Sequence, residues 1–280
     1  MAETVELKKV ASQVRRDILR MVHGVGNGHP GGAMGCTELF VLLYFKMMEH
    51  NTEFSMDGKG EDMFFLSNGH ICAGWYSTLA RAGYFPIEEL ATHRKMSSRL
   101  QGHPTPHEEL PGIRMASGSL GQGLSVAIGA ALSKKLSGDD KDVFVLMGDG
   151  EQQEGQVWEA AMFAPHHKVD NLFAFVDVNG QQIDGTCEEV MNNRDLKAKY
   201  EAFGWEVYSC DGNDFEDLEA TILKAKANKG NGKPKMFELK TAMGFGVDFM
   251  MNDHKWHGVA PSDEQLEKAL AQLDGSLGDY

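Results

Sequence analysis

The stretch VFVLMGDG, residues 143–150, and the stretch LFAFVDVNG, residues 172–180, decide the fold. Val143 to Met147 and, apart from Asp177, Leu172 to Val178 are short apolar runs rich in β-branched and aromatic residues, the mark of strands buried on both faces. Between them Gly155 to Ala164 has helical character, so the segment is a βαβ unit whose two strands run parallel. In a parallel sheet both strand ends open on one side, where ligands bind. The residues delivered there are Gly148-Asp149-Gly150 and, one helix later, Asn179. Each segment alone reads equally well as a turn, since Asp-Gly and Asn-Gly are common turn pairs. Together they place a carboxylate and an amide oxygen at neighbouring strand ends. These are hard ligands suited to Mg²⁺ or Ca²⁺, in sites often completed by phosphate oxygens. Gly148 and Gly150 let backbone approach such a ligand closely.

Working outward, Trp205 to Cys210, Phe215 to Ala227 and Lys235 to Lys240 repeat the strand, helix, strand order. The fold class expected is α/β, a parallel sheet with helices on both faces. Upstream, Val10, Val14, Ile18 and Val22 recur every four residues and mark an amphipathic first helix, ending at the glycine-rich run Gly24 to Gly35. Leu39, Phe40, Leu43, Tyr44 and Met47 form the apolar face of a second helix. Met63 to Leu66 reads as a buried strand delivering Ser67-Asn68-Gly69-His70. Thr92 to Ser119 is polar, with three prolines and three histidines, and is expected to be a functional loop. Helix resumes over Gly118 to Ala131. Ser262 with Gln265 forms a capping box for a last helix, so residues 1–280 are expected to be one domain with a helical extension at about 261–280.

The bulk properties bound the function. The 280 residues, 42% hydrophobic and 24% charged, suffice for one large α/β domain. Apolar stretches such as Leu39 to Phe45 fall far short of the roughly 20 residues of a membrane span. Met1 to Leu19 lacks a signal-like apolar core, so a cytoplasmic location and no membrane association are expected. Cys36, Cys72, Cys187 and Cys210 form no CxxC pair and are expected to be reduced and mostly buried. A formal charge of −14 disfavours nucleic acid but not a phosphorylated ligand met by a metal or a few placed cations.

Five ordered words carry a resemblance. They are Gly28-His29-Pro30-Gly31-Gly32, Ser67-Asn68-Gly69-His70, Gln101-Gly102-His103-Pro104, Gly118-Ser119-Leu120-Gly121-Gln122-Gly123, and Gly148-Asp149-Gly150-Glu151-Gln152-Gln153-Glu154-Gly155. With Asn179 about thirty residues after Asp149, the chain resembles transketolase over nearly its whole length, including the thiamine diphosphate signature. The resemblance implies the thiamine diphosphate-binding fold and assigns roles to matching positions. Asp149, Asn179 and the carbonyl of Gln181 match metal ligands. Gly148, Gly150 and His70 match the diphosphate side, Ser119 and Leu120 border the cofactor, and Glu154 matches an acid in a network between two cofactor sites. His29, His103, His254 and His257 match substrate-channel histidines, with either of the last pair able to face the substrate. Imidazoles can donate to sugar hydroxyls and exchange protons near neutral pH. His50, His93, His107, His166 and His167 read as incidental. Arg94 could meet a sugar phosphate or simply be solvated. Val178 and Ser98 depart from the family's usual residues and bear on loop geometry, not on the metal ligands.

The resemblance also implies something missing. The glutamate that activates the cofactor's aminopyrimidine lies in a second transketolase domain for which the chain has no room. The expectation is the diphosphate-binding section of a split transketolase, inactive without a separate C-terminal subunit carrying the pyrimidine domain, in an α2β2 assembly that acts on sugar phosphates. The competing readings are the α subunit of a 2-oxo acid dehydrogenase, which shares the GDG and Asn but not usually the histidine words, and a non-catalytic cofactor-binding subunit.

Overall fold

A computed structural model describes residues 2–275 and 277–280. Helix α1 (Ala2–Val25) leads into two short helices, α2 (Pro30–Gly35) and α3 (Thr37–Leu42), the latter continuing as one π-helical turn over Leu43–Met47. Strand β1 (Met63–Leu66) is followed by α4 (Cys72–Arg81), a long irregular segment, and α5 (Gly123–Ser137). Then come β2 (Val143–Gly148), α6 (Gly155–His166) and β3 (Leu172–Val178). A two-strand hairpin, β4 (Gln181–Gln182) and β5 (Gly185–Thr186), precedes α7 (Cys187–Met191) and α8 (Leu196–Phe203). The chain closes with β6 (Glu206–Asp211), α9 (Phe215–Ala227), β7 (Lys235–Lys240) and α10 (Asp263–Leu270).

The main sheet is ordered β1-β2-β3-β7-β6 with every pairing parallel. Alternation along the strands splits the core into two layers. Phe144, Leu146, Phe173, Phe175, Phe237 and Leu239 join the layer under α1, α3, α4 and α9, and Val143, Val145, Met147, Ala174, Val176 and Met236 join the layer under α5, α6 and α8. The first layer is aromatic: Phe144–Phe173, Phe175–Phe237 and Tyr208–Phe237 lie with ring centroids 5.3, 4.6 and 5.4 Å apart. Each ring fully buried there contributes roughly 2–3 kcal/mol. Helices cover both faces, as the strand and helix alternation implies.

Two boundaries differ from the sequence reading. The glycine-rich run does not stay irregular, because Pro30 at the first helical position presets φ and Pro30–Gly35 coils into α2. Conversely, helix does not resume at Gly118. Gly118 and Gly121 sit at φ +124° and +86°, left-handed values that keep residues 118–122 out of the helix. The capping box is present, Ser262 and Gln265 exchanging bonds of 2.9 and 3.3 Å. All four cysteines are free and buried. Among the described residues no helix is long and apolar enough to cross a membrane.

Candidate functional site

The C-terminal ends of β1, β2 and β3 converge on a cavity of about 420 Å³, lined in part by Asp149, Asn179, Gln181 and the imidazoles of His29, His70, His103 and His257. At its floor Asp149 is 4% exposed. Its carboxylate accepts from the backbone amides of Gly150 and Gly180, both at 2.7 Å. Burial, then the neighbouring Asp177, push its carboxyl up to about 7 against the pull of those two amides. Asn179 donates from Nδ2 to Asp177 Oδ2 at 2.7 Å, while its Oδ1 accepts from Gln181 N at 2.9 Å. Asp177 also accepts from the Thr241 hydroxyl. Burial raises its carboxyl too, partly offset by Thr241, Cys36 and Asn179.

This donor set suits a hard divalent cation. Two buried carboxyls stand side by side, and among the described residues none of the ion pairs to Lys, Arg or His involves either. Among the same residues no cluster of three His, Cys, Asp or Glu is arranged to hold a metal. A cation here would be held by mixed oxygens: the Asp149 carboxylate, the Asn179 amide and a peptide carbonyl, with ligand oxygens completing the shell. Two further polar atoms beside the cavity, Asn68 Oδ1 and His29 Nδ1, are buried without a hydrogen-bond partner. Such atoms cost free energy unless a ligand meets them.

The four imidazoles form one wall. Ring centroids lie 5.1 Å apart for His29–His70, 5.7 Å for His29–His257, 6.3 Å for His29–His103 and 5.0 Å for His70–His257. Burial, reinforced by His257, Arg94 and His103, lowers His29 to about 4. Burial also lowers His70, well below the usual range, and His103 and His257. Four neutral rings can each donate from one nitrogen and accept at the other.

His254 does not join them. It opens the turn His254–His257, sits 3.9 Å from Asp253 and keeps 42% of its side chain exposed, whereas Trp256, buried and donating to Phe249 O at 3.2 Å, turns His257 inward. Leu120, Gly148 and Gly150 line the cavity, while Ser119 is exposed and lies outside the lining. Glu154 lies at the rim, in the N-cap position of α6 but making no capping bond. Arg94 stands behind His103, outside the lining. None of the five histidines read as incidental lines the cavity: His50 stacks on Tyr84 and His93 is buried against Tyr76.

Sequence reasoning gave no role to Glu151, which is 2% exposed yet reaches three loops. Its carboxylate accepts from the Ser67 hydroxyl, from Gly121 N at 2.7 Å and from Gly148 N at 3.0 Å. Ser67 Oγ itself accepts from Gly123 N at 3.1 Å, so its one proton is free for Glu151. Asp177 also went unassigned, although an acid inside an apolar strand, two residues before Asn179, is a signal open to reading.

Residues 7–275 match the family model described as transketolase, thiamine diphosphate binding domain. The chain is 36% identical over 269 residues to an apulose-4-phosphate transketolase subunit from Actinobacillus succinogenes, covering 96% of each chain. It is also 36% identical over 275 residues to a 6-deoxy-6-sulfo-D-fructose transketolase subunit from a Clostridium species, covering 97% of this chain and 98% of that one. Human transketolase is 34% identical over 272 residues, which are 95% of this chain and 42% of the human one. The solved transketolase of Leishmania mexicana superposes with a TM-score of 0.88 at 32% identity, covering 95% of this chain and 41% of that chain. The chain thus spans about two-fifths of the solved transketolase and nearly all of the relatives named as subunits.

Proposed function

The chain belongs to the transketolase family through its thiamine diphosphate binding domain, and we propose that it is the diphosphate-binding subunit of a two-chain transketolase. In this reading residues 1–280 form one unit that works with a separate chain carrying the pyrimidine domain, in an α2β2 assembly in the cytoplasm. The pair moves a two-carbon ketol unit from a ketose phosphate to an aldose phosphate. Support for a partner comes from relatives of matching length that are themselves named subunits. Their names also widen the sugar class beyond one ketose, to apulose 4-phosphate and 6-deoxy-6-sulfo-D-fructose. The family match and the histidine wall both disfavour a 2-oxo acid dehydrogenase.

The observation that carries the reading is the wall of four imidazoles beside the Asp149 and Asn179 oxygens in one cavity. Thiamine diphosphate, when bound, supplies a carbon nucleophile and an electron sink for cleaving the bond next to a ketose carbonyl. This chain's residues hold and orient. The Asp149 carboxylate, the Asn179 amide oxygen and the Gln181 carbonyl would hold Mg²⁺ or Ca²⁺ against the diphosphate, and His70 and the Gly150 amide region would flank it. His29, His103 and His257 would bond the sugar hydroxyls and the carbonyl oxygen. Being neutral, each can give a proton at one nitrogen while accepting at the other.

Calorimetry and a coupled ketose-to-aldose assay test this on the chain mixed with its cognate partner. The expected result is cofactor binding only with a divalent cation, glycolaldehyde transfer by the pair, and loss of metal-dependent binding in Asp149→Ala. Unchanged cofactor affinity in that variant would remove the metal assignment, and full activity of this chain alone would remove the two-chain reading.

A further inference from the structure

Arg94 lies behind the histidine wall, and the proposed reaction leaves it without a role. Its backbone takes a left-handed φ of 57°, and its amide donates to Leu100 O at 2.9 Å, folding the strap of residues 94–100 back on itself. The guanidinium then reaches in two directions. Nη2 donates to Gly102 O at 3.1 Å, next to His103, and Nη1 donates to Asn27 Oδ1 at 2.6 Å, two residues before His29. Contact with Gly102 is close, since a side chain there would bring Cβ within 2.9 Å of Arg94 Cζ. Both partners are neutral oxygens. Among the described residues none of the ion pairs includes Arg94, and its Nε is buried without a partner. With its terminal nitrogens engaged and its place outside the cavity lining, the group is poorly set to grip a substrate phosphate.

We infer that Arg94 is a positioning residue of the site, whose guanidinium ties the His103 strap to the His29 loop and presents an unneutralised positive charge to both rings. A planar guanidinium can span two carbonyl-type oxygens in fixed directions, which a lysine ammonium cannot reproduce. The positive charge also opposes protonation of the imidazoles: it acts on His103 second only to burial and adds to the lowering of His29. The other titratable groups around these rings are His70 and His257 within the wall and Asp149, Glu151, Glu154 and Asp177 across the cavity. Cys72, Tyr76 and His93 face the guanidinium from α4 and its own strap.

The inference rests on the histidines forming the sugar-facing wall, and its first test needs no catalysis. Imidazole C2–H titrations by NMR on the chain alone compare Arg94→Met, Arg94→Lys and Asn27→Ala. Arg94→Met is expected to raise the His103 midpoint by about half to one pH unit, the scale of one charge across a few ångströms of partly wet protein. Arg94→Lys and Asn27→Ala, which keep the charge, are expected to leave the midpoint in place. In the reconstituted pair, kcat/KM falls in all three variants, by about tenfold in Arg94→Met, and the acidic limb of its pH profile moves upward only in Arg94→Met. An unmoved His103 midpoint in Arg94→Met, or an equal rise in Arg94→Lys, overturns the inference. A wild-type pair without transfer activity would sink the ketol-transfer reading instead and leave the titrations to decide the role of Arg94.

Discussion

Gly123 and Gly129 lie in the same helix, α5, and the same substitution in each is expected to act with opposite sign. Replacing a helical glycine by alanine ordinarily stabilises by roughly 0.5–1 kcal/mol, because the unfolded chain loses freedom it would otherwise regain. At Gly129 an added Cβ meets nothing within 4 Å, so Gly129→Ala should show that gain. At Gly123 the same atom would lie 2.3 Å from Ser67 Oγ, 2.4 Å from its Cβ and 2.8 Å from its Cα. Carbon atoms prefer about 3.5–4.0 Å, and the obstacle includes backbone that cannot rotate away. Overpacking of this kind costs about 1–3 kcal/mol. Displacing Ser67 also withdraws a hydroxyl donor from buried Glu151, worth about another 1–3 kcal/mol. After the propensity gain is subtracted, Gly123→Ala should lose about 1–5 kcal/mol. Urea unfolding of the isolated chain would register this as a midpoint lower by about 1 M, with Gly129→Ala slightly above wild type. A Gly123→Ala midpoint at or above wild type would refute the steric reasoning.

Two other outcomes follow from the geometry. In the reconstituted pair His257→Ala should lower kcat/KM by about 10–100-fold, while His254→Ala, altering a half-exposed ring outside the cavity, should stay within about twofold; steady-state kinetics showing the reverse order would reassign the two. Burial and Arg94 push His93 down to about 4, so as pH falls below its unfolded value near 6.5 the unfolded chain takes up the proton first and stability drops. His93→Gln should therefore lose less stability than wild type between pH 7 and pH 5 in paired urea titrations, and equal losses would count against it.

How much of this was legible in the sequence depended on whether the signal was local. Fully apolar strands such as Val143 to Met147 announce themselves, and the strand, helix, strand order around Phe215 to Ala227 was equally plain. Asp149 and Asn179 were visible because they sit at strand ends, where topology rather than packing fixes position, and the histidines were visible through the resemblance alone. What stayed hidden depended on long-range contacts. Pro30 to Gly35 reads as loop by composition, and the coil that Pro30 starts is held by packing of α2 between α1, α4 and the 254–257 turn. Glu151 carries no local signal, and only Ser67 and Gly121, 84 and 30 residues away, make it a buried acceptor. His254 and His257 are indistinguishable by spacing, and the anchoring of Trp256 decides between them.

Glu151 also sets how the site comes apart. One carboxylate holds the ends of β1 and β2 and the 118–122 segment, three stretches that share no local sequence. No one of them can let go without leaving a buried carboxyl short of a donor, which makes local loosening nearly as costly as releasing all three. The three walls of the cavity are therefore expected to loosen as a single cooperative unit, so that damage to any one of them is felt at the other two.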